Sequence, residues 1–120
     1  MNIDDSTTIS ELKKNIEEFV SQVDWKRYHN PKDVSESISI DAGKLLESFQ
    51  WTSSENSIEY AKKNVDMIKE EVAEVIIYCF ILANALNIDI SNSVTEKLEK
   101  NLKKYAHEPF WWIVIIVNWR

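Results

Sequence analysis

One cysteine, one glycine and two prolines stand in 120 residues, and each scarcity excludes something. A turn-rich β-sandwich or barrel needs many more chain breakers than this, so an all-β fold is excluded. Cys79, alone, has no internal disulfide partner and points to a reducing compartment. Positive charge is also short. Fourteen Lys and Arg face 20 Asp and Glu, a formal net charge of −6, which disfavours non-specific binding to phosphate backbones, so no nucleic-acid partner is expected. No apolar run reaches the roughly 18 residues of a spanning helix. The first eight residues are polar and acidic, unlike a secretory leader. A soluble, cytoplasmic chain without a membrane partner is therefore the expectation. A phosphate-cradling glycine loop, zinc-type Cys/His spacing and a nucleophile–base pair are all missing.

What is there is helical. Apolar residues make up 44% and charged residues 28%, enough for one sizeable core. Thr8-Ile9-Ser10-Glu11 has the form of a capping box. After it, Ile9, Leu12, Ile16, Phe19, Val20 and Val23 recur at helical steps. Asn30-Pro31-Lys32-Asp33 opens a second helix, with Asn30 as cap and Pro31 preset at the first position. Val34, Ile38, Ala42, Leu45, Leu46 and Phe49 form its apolar face, and Trp51 to Ser54 closes it. Gly43 lies inside this helix, where it marks either a close helix contact or a tolerated cost of about 1 kcal/mol.

No breaker appears between Glu55 and Leu86, so a single long central helix is expected there, with Asn87 as a left-handed cap and Ile88 as its apolar follower. A fourth helix starts near Asp89 or Ser91 and carries Ile90, Val94, Leu98, Leu102 and Tyr105. The expected fold is all-α, a four-helix bundle over residues 1–105. Residues 106–120 form an apolar extension with three of the five tryptophans, expected to be buried against the bundle or a partner subunit, with an interfacial membrane anchor or a C-terminus under weak functional selection as the alternatives.

Most acidic side chains on helices face solvent. Glu71, Glu74 and Tyr78, however, fall at i, i+3 and i+7 beside the most apolar stretch of the chain. Two carboxylates one turn apart suit a hard divalent cation; an amphipathic boundary is the plainer account. Asp41, Lys44 and Glu47 descend one side of the second helix. If the two helices pack together, up to four carboxylates converge, and a bound cation or Lys44 itself must offset their repulsion. Trp25, His29 and Trp51 flank the second helix and suit stacking on a nucleobase, or lids on the core. Lys97, Asn101 and Lys104 belong to a basic cluster near the last helix end, suited to phosphate or to the helix dipole.

Taken together, three stretches resemble the MazG-like nucleotide pyrophosphohydrolases, most nearly their short, dCTP pyrophosphatase-like members. They are His29 to Asp33, Ser39 to Trp51 (SIDAGKLLESFQW) and Glu70 to Tyr78 (EEVAEVIIY), continued by Asn87-Ile88-Asp89 and Lys97 to Tyr105. The resemblance implies an all-α dimer or dimer of dimers that hydrolyses (d)NTPs to the monophosphate and pyrophosphate with Mg²⁺, or Mn²⁺ in its place. The family's metal motif, E-x-x-E then E-x-x-D, falls on Asp41 and Lys44, then Glu71 and Glu74, with Glu47 an extra carboxylate one turn on. Lys44 reverses the charge at a ligand position, and an ammonium has no lone pair to offer a metal. The resemblance thus implies Asp41, Glu47, Glu71 and Glu74 as metal ligands and Glu47 or Glu71 as the group that orients or deprotonates water. Trp25, His29, Trp51 and Tyr78 would surround base and sugar, and Lys44, Lys97, Asn101 and Lys104 would meet phosphates. The rival expectation is a non-catalytic nucleotide-binding or interaction protein whose metal site is degraded at Lys44.

Overall fold

A computed structural model of the chain describes residues 2–24 and 30–106, and these are helical, with no strand among them. The elements are α1 (Ile9–Gln22), α2 (Pro31–Glu47), α3 (Ser57–Lys63), α4 (Val65–Leu86) and α5 (Ile90–Ala106). They fall into two compact units, residues 1–88 and 89–120. The apolar extension beyond Ala106, and Trp25 and His29, lie outside the described residues.

Local chemistry sets the helix ends. The Thr8 hydroxyl accepts from the Glu11 amide at 3.0 Å, and Asn30 Oδ1 accepts from the Asp33 amide at 3.0 Å with Pro31 following. Each satisfies an amide that the first helical turn leaves unpaired. Asn87 sits at φ 54°, ψ 40°, the left-handed region, and the Ile88 amide reaches back to the Ala83 carbonyl at 2.9 Å. That pairing closes α4 as a Schellman motif. Asp89 accepts from the Asn92 amide at 2.8 Å and starts α5.

The expected continuous central helix is broken at Asn64. Its backbone turns to φ −120°, ψ 28°, and its side-chain amide donates to the Tyr60 carbonyl at 2.9 Å. An asparagine that bonds its own preceding turn offers the backbone an alternative to helix, so the segment becomes α3 followed by α4. The described residues hold five helices in place of the four expected.

In the first unit α4 is the central element: α2 packs along it, and α1 and α3 also lie against it. Val20 of α1, Val34 of α2 and Ile81 of α4 form the core, with Ile16, Ile38, Ile77, Tyr78 and Leu82 around them. Two bonds tie α1 to the end of α4: Lys13 Nζ donates to the Ile88 carbonyl at 2.7 Å, and Asn84 Nδ2 to the Lys13 carbonyl at 3.0 Å. Gly43 makes no close contact, since a methyl built there meets nothing within 4 Å. Of its two explanations, the tolerated cost stands. No single helix among the described residues is long and apolar enough to cross a membrane.

Candidate functional site

The face shared by α2 and α4 changes character along its length. On α2 the stripe runs Val34, Ile38, Asp41; on α4 it runs back as Ile81, Tyr78, Glu74, the spacing of one helix face on each. Val34 and Ile81 close the apolar end. At the other end Asp41, Lys44, Glu70, Glu71, Glu74 and Tyr78 line a cleft of about 290 Å³. Helix register therefore carries Asp41 into the seam where an apolar residue would otherwise continue the core, and its side chain is only 9% exposed.

Four carboxylates and one ammonium share this cleft. Lys44 Nζ lies 3.6 Å from Asp41 Oδ1, so it offsets one of the four charges. Tyr78 responds to its surroundings. Burial, then the negative charges of Glu74 and Asp41, push its phenol pKa above the ordinary 10.0, while a hydrogen bond with Ser37 and the charge of Lys44 pull the other way. The phenol accordingly keeps its proton at neutral pH in an otherwise acidic wall.

A second cleft, about 590 Å³, adjoins the first and shares Lys44 and Glu71 with it. Glu47, Ser48, Gln50, Trp51, Thr52, Tyr60 and Met67 complete its lining. After α2 the chain leaves in tight turns through Phe49 and Gln50. Phe49 then packs edge-on against Tyr60 of α3, ring centres 5.7 Å apart, and anchors the loop. Trp51 is left 91% exposed, a large apolar plane presented to solvent at the mouth of a polar cleft.

The sequence-based site is thus assembled in part. Asp41, Lys44, Glu71, Glu74 and Tyr78 meet in the acidic cleft, while Glu47 stands with Trp51 in the neighbouring one. Glu70, not expected as a site residue, takes the fourth acidic place; its spacing of four from Glu74 was the available signal. Ser37, four residues before Asp41 on α2, and Tyr60 and Met67 were also missed. Their roles depend on the break at Asn64 and on tertiary contact, neither visible as a motif. Lys97, Asn101 and Lys104 stand at i, i+4 and i+7 on α5, in the second unit, with Lys104 Nζ 5.5 Å from the Tyr105 ring centre.

An all-oxygen donor set fits a hard divalent cation by chemistry, and a nine-tenths buried carboxylate calls for a positive partner. Among the described residues, no three His, Cys, Asp or Glu side chains are grouped closely enough to hold an ion as they stand. The donor types fit; their present positions do not converge.

Comparison with known proteins places the chain in a family. A solved pyrophosphatase from Archaeoglobus fulgidus superposes with a TM-score of 0.76 at 39% identity, over 81% of this chain and 91% of that one. The rat protein dCTP pyrophosphatase 1 is 28% identical over 100 residues, covering 82% of this chain. The human protein of the same name is 28% identical over 103 residues, or 83% of this chain. The chain spans 59% of the rat protein's length and 61% of the human one's. The MazG-like family profile matches residues 36–110, which hold all but the first turn of α2, the whole of α4 and the segment between them. The chain belongs to the MazG-like family.

Proposed function

We propose that this protein is a nucleoside triphosphate pyrophosphohydrolase that converts (d)NTPs, dCTP among the first candidates, to the monophosphate and pyrophosphate and so clears the nucleotide pool. The observation that carries the proposal is the adjacency of an acidic cleft and an aromatic one that share Lys44 and Glu71. A nucleoside triphosphate needs both, a charged site for its phosphates and a flat apolar surface for its base. The names of the relatives support the same activity.

Asp41, Glu71 and Glu74, with Glu47 at the boundary, would hold Mg²⁺ or Mn²⁺. When bound, such an ion neutralises charge on the triphosphate and stabilises charge developing in the transition state. The remaining steps fall to the protein's own groups. Trp51 stacks on the base. Lys44 meets phosphate oxygens, and Tyr78 donates from its phenol. Glu71, or Glu47 beside it, orients a water and takes its proton as the water oxygen attacks the α-phosphorus. The bond from the α-phosphorus to the bridging oxygen breaks, and pyrophosphate leaves with that oxygen. Large apolar side chains exposed on α5, Val94, Leu98 and Leu102, support self-association as a dimer or tetramer; sedimentation equilibrium decides between them, and a monomer at micromolar concentration contradicts both.

Glu71→Gln tests the assignment. Pyrophosphate release from the best (d)NTP should fall by roughly 10²-fold or more, with an unchanged circular dichroism spectrum. Full activity in this variant would remove Glu71 from the reaction. The second reading, a nucleotide-binding protein without catalysis, is favoured by the pairing of Lys44 with Asp41. Activity that appears only in Lys44→Glu would establish it.

A further inference from the structure

We propose that Lys44 is a resident counter-ion of the acidic cleft, one that competes with a divalent cation for Asp41 and so weakens metal binding by the free protein. The inference deepens the metal part of the proposed function, because it concerns the residues assigned there to Mg²⁺. Among the described residues that line this cleft, Lys44 is the one cation facing four carboxylates. Its ammonium is 3.6 Å from Asp41, the carboxylate with least access to water.

The pair is asymmetric. Asp41 is 9% exposed and held in the seam between α2 and α4, whereas the Lys44 side chain is 57% exposed on a flexible stem. When the pair opens, Lys44 is the partner that moves. It also lines the second cleft, beside Trp51, so a group leaving Asp41 has a place to go. A cation approaching Asp41 must displace a charge of its own sign, and like charges a few ångströms apart in a partly desolvated gap repel strongly.

The test is a titration of the full chain with Mn²⁺ alone, free ion being followed by its electron paramagnetic resonance signal. Lys44→Gln removes the charge and keeps a long polar side chain at an exposed position, so the fold should hold, as circular dichroism checks. Mn²⁺ should bind this variant at least about tenfold more tightly than the natural protein. The double variant Asp41→Asn/Lys44→Gln should lose that gain, because the competition is for Asp41. An unchanged Mn²⁺ affinity in Lys44→Gln, or a gain that survives loss of Asp41, overturns the proposal. No nucleotide is present, so absence of hydrolysis would leave the result standing, and a failed titration would leave the hydrolysis assay standing.

Discussion

Trp51→Ala is expected to cost nucleotide binding and leave the fold untouched. The indole is 91% exposed, so its removal deletes almost no packing, and stability should stay within about 0.5 kcal/mol of the natural protein. Phe49, not Trp51, anchors the loop through Tyr60. Stacking of a base on an aromatic ring contributes about 1–3 kcal/mol, which corresponds to roughly a 5- to 150-fold rise in Kd. Isothermal titration with dCTP measures that rise, and inorganic tripolyphosphate serves as the control because it has phosphates but no base. Loss for dCTP with no change for tripolyphosphate is the predicted pattern, and Trp51→Phe should restore most of it. Equal loss for both ligands, or no loss for either, would refute the stacking role. A cooperative unfolding midpoint far below the natural one would show instead that the loop depends on the indole.

Two further predictions concern the frame of the site. Gly43→Ala should stabilise the protein by about 1 kcal/mol in urea denaturation, since the added methyl meets nothing within 4 Å; destabilisation would reveal a contact at that surface. Tyr78 gives a pH signature. Its pKa is raised in the fold, so its contribution to stability is fully present below the unfolded value, about 10, and is lost as pH rises through the higher folded value. Tyr78→Phe should therefore flatten the fall in stability above about pH 10, and an unchanged slope would contradict the burial and charge effects assigned to the phenol.

Much of this architecture is legible in the residues because it is set by short-range chemistry. Thr8, Asn30 and Asn87 cap where their side chains and φ preferences say they should. The apolar face expected on α2 holds at Val34 and Ile38, but Ala42 and Leu46 are exposed and Asp41 is buried in their place. The break at Asn64 was not legible: the flanking residues are good helix formers, and only a side-chain bond to the Tyr60 carbonyl tips the balance. Glu47 and Glu70 differ for a similar reason. Both are acidic and near the seam, but which of them enters the cleft is decided by the rotation of α2 against α4, which a pattern of spacings does not contain. Lys44 was visible as an oddity in sequence, yet its 3.6 Å approach to Asp41 and its place in both clefts are facts of packing.

The most direct test of the central claim is to turn over a (d)NTP in ¹⁸O-labelled water, with Mg²⁺ and with the metal chelated, and identify the products. The proposed chemistry predicts metal-dependent formation of monophosphate and pyrophosphate, with the label on the monophosphate, since water attacks the α-phosphorus. Label in pyrophosphate or in inorganic phosphate, or no turnover of any canonical (d)NTP, would contradict it.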